Sequence, residues 1–251
     1  MTSWQILEQE LALWQAADRC ADLWWRDDDA ADAGPALDRL LEIHRETATP
    51  IALAVVPARA TPALAARLAT ATAVDLLQHG YAHVNHAPAS EKKIELGPHR
   101  PAMFVLGELG TGRMALERLF GNRPLKVVVP PWNRISPGLV PTLPEIGFTG
   151  LSTFGAVRRA HPVRGLRQIN AHVDLIDWKG GRGFIGEAAS LAAVVEALAR
   201  ARAGTGEPVG ILSHHLVMDD RAWEFLELFW KRTRAMSGMR VRPAHELFAS
   251  N

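Results

Sequence analysis

Leu23-Trp24-Trp25-Arg26-Asp27-Asp28-Asp29 passes from apolar to acidic within one short run. A second stretch, Val74-Asp75-Leu76-Leu77-Gln78, ends just as abruptly in His79-Gly80-Tyr81-Ala82-His83. Each has the length of a strand and stops in side chains that bind metals or move protons. Pro50–Val56, Lys126–Val129 and Pro208–Ser213 share the apolar character and lack the in–out alternation of a strand with one wet face. These are strands of a sheet covered on both sides.

Helical patterns separate them. Trp4, Leu7, Leu11 and Trp14 fall on one helix face. Pro35 opens a helix carrying Leu37, Leu40, Leu41 and Ile43, and Thr61-Pro62 has the form of an N-cap followed by a first-turn proline. Ala87–Gly110 reads as a long loop over the strand ends, followed by a helix through Met114–Phe120. Glu187–Ala203 is an alanine-rich helix, and Arg221–Arg234 forms another. Shorter strands are expected near Phe148–Ser152, Val173–Ile176 and Met239–Val241. Strands alternating with helices give an α/β fold with a parallel sheet. At 251 residues, with seven or eight strands, the expected architecture is one TIM-barrel-like domain spanning residues 1–251, closed or nearly so. Such barrels work at the C-terminal ends of their strands. The aspartates, His79, Trp132, Asp177 and His214 all lie just past such ends.

Bulk composition narrows the partners. The 28 basic residues balance 27 acidic ones, so charge makes no case for a nucleic-acid or membrane-surface partner. The single cysteine, Cys20, excludes an intrachain disulfide. The first residues lack the basic start and apolar core of a secretion signal, and no stretch is apolar for long enough to span a bilayer. A cytoplasmic location is therefore expected. The oligomeric state is not written in the sequence.

His79 and His83 can present two imidazoles to one ion. A histidine pair alone would say little, but Asp29 adds a carboxylate and completes a two-His, one-Asp set with open positions. That set suits hydrolysis at Zn2+, and equally oxygen chemistry at Fe(II). His86 is a competing histidine, assigned here to support. The three acids cannot all be ligands, because neighbouring strand residues point to opposite faces. Asp28 is read as general base and Asp29 as ligand, with Asp27 the rival for the base. His214 is a candidate acid for the leaving group, and Asp177 could hold its imidazolium. Trp25, Trp132 and Trp178 are candidates for stacking on sugar rings; Trp4, Trp14, Trp223 and Trp230 are read as helix-packing residues.

At these residues the chain resembles the polysaccharide deacetylase family, the NodB-homology carbohydrate esterases. Asp28-Asp29 is similar to the family's paired acids, base then metal ligand. His79-Gly80-Tyr81-Ala82-His83 matches its two-histidine motif in spacing. Pro130-Pro131-Trp132-Asn133 resembles its proline-aromatic motif, Asp174–Trp178 its Asp-x-x-Asp-Trp motif, and Leu212-Ser213-His214 its Leu-x-His motif. The resemblance implies a distorted (β/α)7 barrel and a divalent cation, Zn2+ first. It implies an oxyanion held partly by the Trp132 amide, with Asn133, Trp178 and Tyr81 on the substrate side. It implies removal of an N-acyl group from an N-acetylated sugar or oligosaccharide. The chain departs from the pattern at Ala30, where the family has glycine, at Trp132, where it has tyrosine, and at Val129, where it has the arginine that tethers the base. Arg26 and Arg134 are the candidates to replace that arginine. Two rival readings remain: a C–N hydrolase of small cyclic or linear amides on the same barrel, and a glycan-binding relative with a degenerate site.

Overall fold

A sheet of strands buried on both faces needs cover on each side, and here helices cover one face while the curl of the sheet encloses the other. The computed structural model describes residues 2–204 and 206–249. Its strands are β1 (Ala21–Ala30), β2 (Ile51–Val55), β3 (Val74–His79), β4 (Pro124–Val129), β5 (Gly150–Leu151), β6 (Arg167–Gln168), β7 (Ala171–Asp174), β8 (Val209–Ser213) and β9 (Met239–Val241). Its helices are α1 (Ser3–Ala16), α2 (Pro35–Thr47), α3 (Pro62–Leu68), α4 (Ala102–Phe120), α5 (Glu187–Ala203), α6 (Asp220–Ala235) and α7 (Ala244–Phe248). The order across the sheet is β6-β5-β4-β3-β2-β1-β8-β7, with every ladder parallel and β9 joined to the start of β1. Between the two end strands no ladder forms among the described residues, and the irregular segment after β5 packs against β7: Ala171 N donates to the Thr153 carbonyl and Gly155 N to the Ala171 carbonyl. The result is an open, strongly curled sheet with flanking helices, a distorted β/α barrel.

Alternation along β1 assigns its side chains. Trp24 faces the barrel interior with Leu77, Val127, Val129 and, from α7, Leu247 and Phe248. Leu23 and Trp25 face outward, into the core shared with Leu40, Leu226 and Trp230 of the helices. Arg26 and Asp28 then fall inside and Asp27 outside, by the strand's two-residue period.

The helical spacings are realised in α1, where Thr2 and Gln5 form a reciprocal cap, and in α3, where Thr61 accepts from Leu64 N. Residues 102–110 differ from expectation: they are helical, part of α4, and not loop. Gly107, Gly110 and Gly112 mask the pattern, since glycine is a weak helix former. The buried stripe Val105, Leu109, Gly112, Leu116, Phe120 overrides it. At Gly112 the missing side chain serves packing, because a Cβ there would lie 2.6 Å from Gln78 Nε2 and 3.0 Å from Pro57 Cγ. The two-residue β6 and the five-residue α7 are too short to carry a readable period.

Candidate active site

The C-terminal ends of β1 and β3 bring Asp29, His79 and His83 together. Both imidazole Nε2 atoms lie 3.2 Å from the same Asp29 oxygen, and one ligand atom from each residue falls within 4.8 Å of the others. Donors that each hold one ion at about 2.1 Å stand roughly 3.0–3.4 Å apart. The group is therefore able to hold a metal ion, and among the described residues it is the one cluster of three such side chains that is. His79 Nδ1 lies 3.0 Å from the Val129 carbonyl. A carbonyl only accepts, so Nδ1 carries the proton and the neutral ring keeps its Nε2 lone pair for a ligand. Burial pushes His83 below the ordinary imidazole range, which also favours the neutral ring. At Asp29 burial works the other way; when the imidazoles are protonated, as they are with no ion on their Nε2 atoms at low pH, the hydrogen bond from His79 and the charges of His79 and His83 outweigh burial and hold the carboxyl well below the usual range.

Backbone strain shapes this rim. Asp29 sits at φ +74°, His83 at +59°, Trp132 at +54° and Asn133 at +57°. Non-glycine residues pay about 1–3 kcal/mol for such conformations and keep them where the surroundings impose them. The turn at Asp29 breaks strand alternation and lets it share the mouth with its neighbour Asp28. The His79–His83 turn is held from below by Glu95, a buried residue whose carboxylate accepts from Tyr81 N (3.1 Å), Ala82 N (2.8 Å) and Val84 N (3.4 Å). Gly80 makes room for it: at φ +55°, a Cβ would stand 2.0 Å from Glu95 Oε2 and 2.6 Å from the Pro131 ring.

Asp28 is buried at the mouth and clasped by Arg26, two residues back on the same face. Arg26 Nε lies 2.8 Å from Asp28 Oδ1, and Nη2 donates to Oδ2 at 3.0 Å. The guanidinium is itself fixed by Ser152 Oγ (2.7 Å), Asn133 Oδ1 (2.6 Å) and the Thr153 carbonyl (3.2 Å). Of the two candidates for the missing tether, Arg26 makes the contact, and Arg134 donates instead to the Lys93 carbonyl. A carboxylate offers about four acceptor sites, so this clasp leaves some for a water. Asp27 points the other way, as alternation requires.

His214, at the end of β8, is buried with Nδ1 3.5 Å from Asp174 Oδ1. Burial alone would lower its pKa. Asp174, helped by the charges of Asp28 and Asp29, overrides that and raises it to about 9. At 3.5 Å this is charge attraction more than a close hydrogen bond. The other Asp174 oxygen accepts from Trp178 Nε1 at 2.7 Å, and the Trp178 ring meets His214 edge to face at 4.9 Å. The expectation that Asp177 holds His214 needs correction. Asp177 is exposed, and its Oδ1 accepts from the amides of Lys179 and Gly180, closing a turn beyond the strand. The strand ends at Asp174, so the earlier acid of the motif faces the rim.

Trp132 packs its ring on His83 at 4.4 Å and forms one wall. Asn133 lies beneath, bonded to Arg26. Tyr81 sits at the tip of the histidine turn, its amide held by Glu95 and its carbonyl by Ala58 N. Trp25 is not available for stacking: it is buried outside the barrel, donates to Ser213 Oγ at 2.9 Å and packs on Trp230. Trp4, Trp14, Trp223 and Trp230 are buried in helix packing. Glu95 went unrecognised in the sequence, since a lone acid in an irregular segment carries no spacing signal.

By sequence the chain matches no family model and none of the curated proteins. By structure it is similar to several deacetylases and esterases. A Mycobacterium smegmatis protein assigned as a polysaccharide deacetylase superposes with a TM-score of 0.69 at 19% identity, over 91% of this chain and 89% of that one. The family 4 carbohydrate esterase from Streptomyces lividans, in complex with acetate, gives 0.57 at 17% identity, over 88% and 92%. The family 4 acetyl xylan esterase from Clostridium thermocellum, with a cobalt ion, gives 0.55 at 16% identity, over 90% of each chain. At these identities the likeness is one of fold.

Proposed function

We propose that this chain is a metal-dependent hydrolase that removes an N-acyl group, acetyl first, from an N-acetylated sugar or oligosaccharide. The observation that carries the reading is one rim with three parts: the Asp29–His79–His83 cluster, an arginine-clasped carboxylate, and a histidine paired with an acid. A metal-binding cluster alone would also serve redox chemistry. A base and a protonated acid placed with it favour hydrolysis, which needs one proton taken and one given. The acetate in the Streptomyces esterase and the cobalt in the Clostridium esterase lend weight to an acyl substrate and a divalent ion.

Asp29, His79 and His83 would hold the cation, and Zn2+ fits two imidazole nitrogens and one carboxylate. Such an ion, when bound, supplies Lewis acidity toward a carbonyl and sharpens a water. Asp28 takes the proton of the attacking water, its carboxylate kept in one orientation by Arg26. The Trp132 amide donates to the developing oxyanion. His214, kept protonated by Asp174, delivers its proton to the departing nitrogen as the C–N bond breaks. Trp132, Trp178, Tyr81 and Asn133 line the substrate side.

The test is acetate release from N-acetylglucosamine oligomers by zinc-loaded protein. Release that stops on chelation and returns with metal supports the proposal. Ring opening of a cyclic ureide without acetate release would move the reading to a small-amide hydrolase. Saturable sugar binding without any turnover would move it to a glycan-binding protein.

A further inference from the structure

We infer that the substrate carries an anionic group, a phosphate or a carboxylate, and that the protein seats it in a basic cleft beside the proposed catalytic residues. The placement of that group on the substrate rests on the hydrolase reading; the cleft's affinity for anions does not. A cleft of about 840 Å3 opens between the segment after β4 and the segment joining β5 to β6. Its charged lining residues are Arg134, Arg158 and Arg159, and no carboxylate lines it. In a chain whose charges nearly cancel, three guanidiniums on one cavity with no acid among them are a local excess.

The arginines of this chain divide into those with a carboxylate within 4 Å and those without one, and the three of the cleft belong to the second group, as Arg118, Arg164 and Arg221 do. Arg100, Arg113, Arg202 and Arg240 each lie within 4 Å of a carboxylate. Among the described residues, Arg134, Arg158 and Arg159 have no such partner, and Arg134 spends one N–H on the Lys93 carbonyl. The segment that bears Arg158 and Arg159 is anchored at both sides. Val157 N donates to Glu207 Oε2 at 3.1 Å, and the Ala160 carbonyl accepts from Gln168 N at 2.8 Å. Much of the remaining lining is apolar, including Ile135, Val140 and Val163. Apolar walls lower the local dielectric and strengthen attraction for an anion. Guanidiniums suit this role because their planar N–H forks match the oxygens of phosphate and carboxylate.

The cleft also touches the catalytic machinery. Asn133 and Thr153 line it, and both accept hydrogen bonds from Arg26, the residue that clasps Asp28. A substrate whose amide lies at the base would thus extend its charged end past Asn133 toward the arginines.

Calorimetric titration of metal-free protein at low ionic strength tests this with four probes: N-acetylglucosamine, N-acetylglucosamine 1-phosphate, N-acetylmuramic acid and inorganic phosphate. At least one charged sugar should bind about tenfold or more tightly than the neutral one. Which of the two gains decides between phosphate and carboxylate. The triple variant Arg134→Ala, Arg158→Ala, Arg159→Ala should lose that preference while keeping its melting temperature and its affinity for the neutral sugar. A neutral sugar that binds with charged ones binding no better, phosphate that does not bind, or a preference that survives loss of all three arginines would overturn the inference. Phosphate binding that depends on the arginines, with no binding of any sugar, would uphold the cleft and count against the N-acetyl-sugar reading alone.

Discussion

β1 and the segment just past β8 set an aspartate and a histidine on each of two sides of the sheet, and the pairs are built in opposite ways. On the inner face, Asp28 and His214 each lean on a separate partner, Arg26 and Asp174. On the outer face, Asp27 and His215 bind each other directly. His215 Nδ1 stands 2.5 Å from Asp27 Oδ1, while Asp27 Oδ2 accepts from Ser213 Oγ at 2.6 Å and His215 N at 3.1 Å. Trp25 closes that network through Ser213. The residue types are the same and the sequence separation is one. Parity along β1, with the turn after β8, sets one pair at the rim and the other beneath helices, where it ties the strands together.

Substitutions can break this contrast. Asp28→Asn should leave metal content and fold intact and reduce acetate release by about 10²–10⁴-fold; turnover like the wild type would remove Asp28 as base. Asp27→Asn should do the reverse. Losing one partner of a buried ion pair costs about 3–5 kcal/mol, read from denaturant unfolding, with little change in turnover per folded molecule. That loss should depend on pH. Asp27 overrides the lowering effect of burial and raises the His215 pKa. The pair's contribution is thus full below about 6.5 and declines as pH rises through the raised value.

Smaller effects sharpen the inner side. Glu95→Gln turns an amide N–H toward main-chain donors and loosens the histidine turn. Zinc affinity, measured by competition with a chelator, should fall by about 10–100-fold. Asp174→Asn removes the main support for the His214 charge, and burial then lowers its pKa. With His214 as the proposed proton donor, the alkaline limb of the turnover profile, expected near 9, should move by at least about one pH unit toward acid. An unmoved limb would mean another group donates the proton.

The strands that bear the site were legible because they are apolar throughout and end in charge, and the two-histidine turn was legible because both ligands lie on one short segment. Parity explains why Asp28 and not Asp27 faces inward, but the turn at Asp29 that lets two adjacent acids share the mouth depends on a positive φ that no periodicity announces. The tether was harder to read. Arg26 replaces a contact expected from the β4 end by reaching along its own strand, which only the closed geometry of the mouth reveals. Asp174 and Asp177 differ by less than one turn of chain, and the exact end of β7 decides between them. Glu95 and the helical start of α4 were hidden for one reason: contacts distant in sequence stabilise them, and local pattern does not.

The most direct test is diffraction from zinc-soaked crystals with anomalous data at the zinc edge. We expect one strong peak about 2.0–2.2 Å from an Asp29 oxygen and from both Nε2 atoms of His79 and His83, with Asp28 and His214 flanking it. A zinc-saturated crystal with no peak among those three side chains would contradict the proposed centre and the hydrolysis built on it.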